Sequence, residues 1–247
     1  MALQPTFFVF DSVRDGKGPT LKMTAKRYTS GKSSENSRGL TLILTHCIGS
    51  HKEQWEPAIE RMFELQRSKP PHQRIREAWS FDWQNHGDAA VLNREALLKR
   101  PQGVSVYEWA TALAEFLQSP QMRGHRIVGM GHSAGAGAVM LAAKDFPPTN
   151  LPYAAIVLIE AAMVTRAVFN SQLEDRMEQM NFAVNATLTR RDTWESRETA
   201  AAWLAKRYPW SEWDPRVVRL LAVRSSTSVS QDRADSDRLI AARLTAD

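Results

Sequence analysis

Between Leu40 and Ile159, short apolar runs alternate with segments whose apolar residues recur at helical spacing, and this alternation limits the fold more than any other feature. Leu40-Thr-Leu-Ile-Leu-Thr45 is a β-branched and apolar run of the kind buried on both faces of a parallel sheet. Trp55, Ile59, Met62 and Phe63 then form an apolar stripe, which predicts a helix over 51–66, with Ser50 and Glu53 as a capping box at its start. Ile75 to Trp83 reads as the next strand and leads into the loop Gln84-Asn-His-Gly-Asp88. A second capping box, Ser105 with Glu108, opens a helix whose inner face is Val106, Trp109, Leu113, Phe116 and Leu117. The strand His125 to Met130 runs directly into Gly131-His-Ser-Ala-Gly135 and a helix of small residues reaching Phe146, where Pro147 and Pro148 stop it. Tyr153 to Ile159 is a further apolar strand. Strands and helices in strict alternation predict an α/β fold, a mostly parallel sheet with helices on both faces.

Two segments precede this pattern and several follow it. Phe7 to Val13 and Leu21 to Thr29, separated by the turn Asp15-Gly-Lys-Gly-Pro19, predict an antiparallel opening hairpin. Beyond about Val164 the strands stop. Leu173 to Ala186, Ser196 to Tyr208 and Asp214 to Arg224 read as amphipathic helices, Leu220 to Val223 is a marginal strand candidate, and Ser225 to Asp237 is polar. The expected organisation is a core over 1–165 and a helical lid segment over 166–247.

Composition narrows the function classes. A formal charge of +5 points weakly toward polyanions, yet the arginines from Arg166 to Arg243 are interleaved with Asp and Glu, and no run of five basic residues occurs. Solvated mixed-charge helices are expected, and no nucleic-acid partner. The apolar stretches Ala134 to Ala143 and Ala154 to Val164 reach about half of the roughly 20 residues a bilayer crossing needs, so no membrane span is expected. The first ten residues lack the basic and apolar regions of a secretory signal, and Cys47 is the lone cysteine; an intracellular compartment is the expectation.

Gly131-His-Ser-Ala-Gly135 matches G-x-S-x-G between a strand and a helix, the context of a nucleophile elbow. Ser133 is the candidate nucleophile. The helix beyond it offers a dipole end and the Ala134 N–H to a developing oxyanion, and the loop Thr45-His-Cys-Ile-Gly49 offers a second donor, the N–H of Ile48 or, less well placed, Cys47. His46 reads as a loop-structuring histidine, and nothing beside Cys47 marks it as a nucleophile. Glu160 closes an apolar strand on the same rim and is the candidate orienting acid. The base is the difficulty. His46, His51, His72, His86, His125 and His132 all precede Ser133; the turn directs His132 away from Oγ, His125 begins its strand at the far edge, and His86 alone reads as a substitute base.

With oxyanion loop, Asp82-x-x-x-His-Gly87 loop, elbow and acidic strand end in order, the chain resembles the α/β-hydrolase superfamily. More narrowly it resembles fungal α/β-hydrolases of secondary metabolism and toxin biosynthesis, among them peroxisomal acyl-CoA hydrolases such as that of the mycophenolic acid pathway. Thr45-His-Cys-Ile-Gly49 with Lys52-Glu53 and Glu56-Pro57, Ile156-Val-Leu-Ile-Glu160, Asn185 to Glu198 and Asp214-Pro-Arg216 also carry the likeness, over about residues 7–224. The resemblance implies a serine hydrolase acting on a small-molecule acyl ester or thioester, acyl-CoA included, with Ser133 as nucleophile, Glu160 as acid, Ile48 and Ala134 as oxyanion donors, and no metal or organic cofactor. It implies a cytoplasmic or peroxisomal protein, although Thr245-Ala-Asp247 is not a Ser-Lys-Leu-type signal. Relatives have His-Gly where this chain has His46-Cys47, and usually Asp where it has Glu160. Relatives also continue into two more strands and a catalytic histidine, so this chain is expected to be a truncated, impaired form, with a non-catalytic binding protein of the same fold as the alternative.

Overall fold

The computed structural model describes residues 3–12, 20–100, 103–161, 163–189, 191 and 193–225. The opening hairpin is β1 (Leu3–Asp11) and β2 (Lys22–Ser30), paired antiparallel with Phe8 opposite Ala25. The strand starts earlier than its apolar run, because the ladder with β2 continues back to Leu3, opposite Ser30. Then follow β3 (Leu40–Thr45), α1 (Glu56–Leu65), β4 (Ile75–Phe81), α2 (Gly87–Leu92), α3 (Arg94–Leu98), α4 (Val106–Gln118), β5 (Arg126–His132), α5 (Ala134–Ala142) and β6 (Tyr153–Ile159). The last helices are α6 (Arg166–Ser171), α7 (Leu173–Leu188), α8 (Arg197–Leu204) and α9 (Pro215–Ser225).

Among the described residues the strands form one sheet in the order β1-β2-β4-β3-β5-β6. β2 meets β4 antiparallel, whereas β3 pairs parallel with both β4 and β5, and β5 with β6. The sheet is therefore mixed, with a parallel block of four strands, and β3 sits inside it as its double-sided apolar run requires. One face packs Tyr28, Leu42, Leu44 and Ala78 on Ile59 and Phe63 of α1. On the other, Phe116 of α4 lies 5.0 Å from the Trp79 ring and 4.8 Å from that of Phe81, and Gly129 lets Val139 of α5 approach β5.

Two compact units divide the chain, Met1–Asn93 with Val104–Ala161, and Arg94–Gly103 with Ala162–Asp247. Every candidate site residue lies in the first. The second has a small core of Trp194, Ala200, Leu204, Val218, Leu221 and Ala222 built from α8 and α9. The Leu220 to Val223 strand candidate is part of α9, where Val218, Leu221 and Ala222 share one helical stripe. Ser226 to Asp237, the rest of the polar stretch, lies outside the described residues.

Two helix expectations are corrected. Ser105 and Glu108 form a reciprocal capping box at α4 as read from the sequence. Ser50 and Glu53 do not: a 3₁₀ turn over Lys52–Trp55 precedes α1, no side chain caps the helix, and the Glu53 carboxylate is buried against Lys52, Lys26 and His51 instead. Charge pairing outcompetes the local backbone N–H here because the site is dry. The helix after the elbow also ends earlier, passing into a 3₁₀ turn at Ala143–Asp145.

Candidate active site

Ser133 links β5 to α5 with φ 53° and ψ −116°, a conformation that costs a non-glycine residue energy and persists only where neighbours enforce it. Its N–H donates to Ile159 O at 2.9 Å and its carbonyl accepts from Gly137 N–H at 3.3 Å. The flanking glycines are demanded by space. A Cβ on Gly131 would sit 2.4 Å from Ala136 Cα, and one on Gly135 2.4 Å from Thr45 O and 2.6 Å from His46 O. Strand, helix and the start of the 46–50 loop thus touch through backbone at the serine, and Thr45 Oγ1 seals the contact by donating to Gly135 O at 2.8 Å. Ala134 heads α5, so its N–H has no acceptor within the helix.

The loop that follows β3 makes a turn from Cys47 to Ser50, closed by Ser50 N–H donating to Cys47 O at 3.2 Å, with Ile48 half exposed at its tip and Gly49 at φ 74°. Two buried imidazoles hold it. Trp83 N–H donates to His46 Nε2 at 3.2 Å while His46 Nδ1 donates to Cys47 O at 2.7 Å; Gly49 N–H donates to His86 Nε2 at 3.2 Å while His86 Nδ1 meets Asn85 Oδ1 at 2.8 Å. Accepting a backbone N–H at Nε2 fixes the proton on Nδ1 and leaves each ring neutral. His46 plays the loop-structuring part read from sequence. His86, expected on the rim as a substitute base, is 5 % exposed with its Nε2 lone pair taken.

Across the rim stands Glu160, also at positive φ (49°), with an exposed carboxylate whose Oε2 lies 3.1 Å from His132 Nε2. Burial raises the Cys47 thiol above its usual value, with the Glu160 charge acting in the same direction, which keeps Cys47 protonated. Ser133, Ala134, the 46–50 loop, His132 and Glu160 therefore meet at the carboxyl ends of β3, β5 and β6. His125 does not: its Nδ1 is 2.8 Å from Thr41 Oγ1 at the opposite end of the strands. His72 belongs to a 3₁₀ turn far along the chain from the elbow, at Pro71–Gln73.

Sequence reasoning missed Lys52. Its side chain has no exposed surface, and Nζ donates to Asp82 Oδ2 and Asp88 Oδ2 at 2.7 Å each and reaches Glu53 Oε1 at 3.1 Å. Burial alone would lower the ammonium pKa, but Asp82 and Glu53 outweigh it and hold the pKa above its usual value. The opposite sign prevails at Glu53: desolvation pushes its pKa up, yet His51 and Lys52 hold it well below the carboxylate range. The available signal was acidic residues on either side of His86-Gly87, at Asp82 and Asp88, facing a Lys-Glu pair.

The two imidazoles predict an acid sensitivity. Burial lowers His46 to about 4, against a partial opposing pull from Asp82, and lowers His86 well below its ordinary value. Between the unfolded value of about 6.5 and the folded one the unfolded chain binds the extra proton, so stability falls as pH falls through that window. At pH 5 the His46 ring costs roughly 2 kcal/mol relative to pH 7, and His86 acts in the same direction. Urea midpoints at the two pH values should differ accordingly; equal midpoints would show that the rings are solvated in the folded chain.

The model of the alpha/beta hydrolase family matches residues 42–246. The chain is 26 % identical over 215 residues to the type I acyl-CoA thioesterase mpaH of Penicillium roqueforti, covering 82 % of this chain and 43 % of that protein. Against mpaH' of Penicillium brevicompactum the identity is 27 % over 204 residues, 79 % of this chain and 42 % of the relative. The chain thus spans less than half the length of these curated relatives. Among solved structures, the peroxisomal alpha-beta-hydrolase Lpx1 of Saccharomyces cerevisiae superposes with a TM-score of 0.68 at 16 % identity, over 98 % of this chain and 69 % of that one. The thioesterase domain from the curacin biosynthetic pathway does so with a TM-score of 0.58 at 15 % identity, over 91 % and 66 %.

Proposed function

The chain belongs to the alpha/beta hydrolase family, and we propose that it carries the nucleophile half of a serine hydrolase for acyl esters or thioesters. The observation that carries this reading is Ser133, held at φ 53° between two glycines that no side chain could replace, at the mouth of a helix. Ser133 Oγ would attack the acyl carbonyl, and the N–H groups of Ala134 and Ile48 would receive the charge that develops on its oxygen. Glu160 would orient the base and stabilise it once protonated. The names of the curated relatives favour a thioester of coenzyme A as the substrate class. None of these steps calls for a metal or an organic cofactor.

The base is where this chain falls short. His46 and His86 have both nitrogens engaged, and the elbow turn directs the His132 ring away from Ser133 Oγ, although it meets Glu160 through Nε2. We therefore propose that the 247-residue chain acylates slowly, at the residual level an oxyanion site supports without a complete triad. The same histidine geometry favours the second reading, a protein of this fold that binds an apolar ligand without turning it over.

Chemical rescue separates the two. A fluorophosphonate probe should label Ser133 slowly and added imidazole should speed the labelling severalfold, while Ser133→Ala abolishes both and leaves the melting profile in place, since the half-buried hydroxyl contributes little packing. No labelling at any imidazole concentration would establish the binding reading, and labelling at Cys47 would move the nucleophile elsewhere.

A further inference from the structure

We infer that Lys52 is the positioning residue of the 46–50 loop, the buried ion that keeps the Ile48 N–H at the elbow; the inference rests on the hydrolase reading above. A donor that meets developing charge must not move during the reaction, since its contribution depends on preorganisation. The tip of the loop has little packing to keep it still. Ile48 is 49 % exposed, and nothing lies within 4 Å of the position a Cβ on Gly49 would take. Beside the buried His46 ring, which accepts from Trp83 N–H, three polar ties restrain the loop. Thr45 Oγ1 ties its start to α5, Gly49 N–H ties its tip to His86, and Lys52 ties its end to the loop after β4.

The third anchor is the most heavily built. Lys52 N–H donates to Asp82 Oδ1 at 2.8 Å while its own ammonium takes Asp82 Oδ2 and Asp88 Oδ2, so one carboxylate grips the residue at both backbone and side chain. Asp82 has no exposed surface and accepts two further donors, Thr24 Oγ1 at 2.8 Å and Asp88 N–H at 3.1 Å. Gly87 stands at φ +53° with its would-be Cβ 2.5 Å from both Asp82 oxygens, so the second loop is shaped around this carboxylate. The Phe7 ring centroid, 5.4 Å from the ammonium, adds an aromatic contact. With its donors saturated and no exposed surface, Lys52 cannot reach a substrate. Desolvation offsets most of the Coulomb attraction in such a pair, so net stability is a poor reason for its presence, whereas a fixed loop geometry is one the network supplies directly.

The test uses the full chain, with Lys52→Met, which removes the charge at similar length, and Asp88→Asn, which weakens one pair at a partly exposed partner. Hydrogen–deuterium exchange is followed on peptides over 46–52 and, for reference, over 40–45 and 126–131. Exchange over 46–52 is expected to rise at least tenfold in Lys52→Met and severalfold in Asp88→Asn with the reference strands unchanged, and fluorophosphonate labelling of Ser133 should slow in the same order. If Lys52→Met does not fold, Asp88→Asn carries the test alone. Unchanged exchange over 46–52, or an equal rise in every peptide, overturns the inference, the latter marking Lys52 as a stabilising residue only. Absence of labelling in the unsubstituted chain overturns the hydrolase reading, and the exchange pattern still decides whether Lys52 holds the loop.

Discussion

Gly135→Ala is expected to cost about 3 kcal/mol or more and to abolish reaction of Ser133 with acylating probes, although it adds a single methyl group to a helix. The methyl carbon would lie 2.4 Å from Thr45 O, 2.6 Å from His46 O and 2.6 Å from Thr45 C, all backbone atoms that no rotamer change can move aside. Relief requires either α5 or the end of β3 to retreat, and both carry the site: the first presents Ser133 and Ala134, the second leads into the loop with Ile48. The effect on Ser133 should therefore exceed the effect on folding. Gly137→Ala in the same helix is the matched control, because its Cβ would meet only Val106 Cγ2 at 3.7 Å, an ordinary contact. That substitution should be neutral or stabilise by roughly 0.5 to 1 kcal/mol through helix propensity. Urea titrations of the two variants, paired with labelling, check the contrast, and similar stabilities for both would mean that strand, loop and helix are not in register at the elbow.

The second large effect concerns the sheet margin. β6 pairs with β5 along one edge, and among the described residues no strand pairs with the other. Ile156, Val157, Leu158 and Ile159 are 37–41 % exposed, so the strand shows apolar side chains from both faces as well as an open ladder. Such an edge is a template for another chain. The 247-residue chain in isolation should accordingly sediment as dimers or larger species at micromolar concentration. Val157→Lys places a charge in the middle of the edge and should shift most of the material to monomer, since a buried unpaired ammonium opposes pairing. A concentration-independent monomer before substitution would mean that the edge is covered, and α7 shows greater exposure at Met177, Met180 and Phe182 for the same assay to resolve.

What was legible in the sequence is what local sterics and periodicity decide. The elbow could be read from five residues between a strand and a helix because a serine forced to positive φ where backbones touch requires glycine two positions away in each direction, and that demand is local. The strand over Tyr153–Ile159 was legible end to end, and so was the Ser105–Glu108 capping box, whose partners are three residues apart. Glu53 carried the same signature as Glu108 and went the other way. Of its competitors for the carboxylate, His51 and Lys52 are chain neighbours turned onto it by burial, and Lys26 comes from β2, so no pattern of spacing reports the set.

The sequence by itself determined the strands β1 to β6 in order, the helices α1, α4 and α5 between them, the parallel core around Leu40 to Thr45, and the serine at the strand-to-helix turn, because each follows from backbone sterics or from periodic burial. The short helices α2 and α3 it left within a loop. Only the tertiary structure decided which polar groups became partners. Lys52 meets Asp82 and Asp88 across 30 and 36 residues, and His132 meets Glu160 across 28. Gly49 finds His86 across 37, which turns an apparent base into a loop anchor. A charge or an imidazole gains most where water is excluded, and where water is excluded is settled by the packing of the whole sheet.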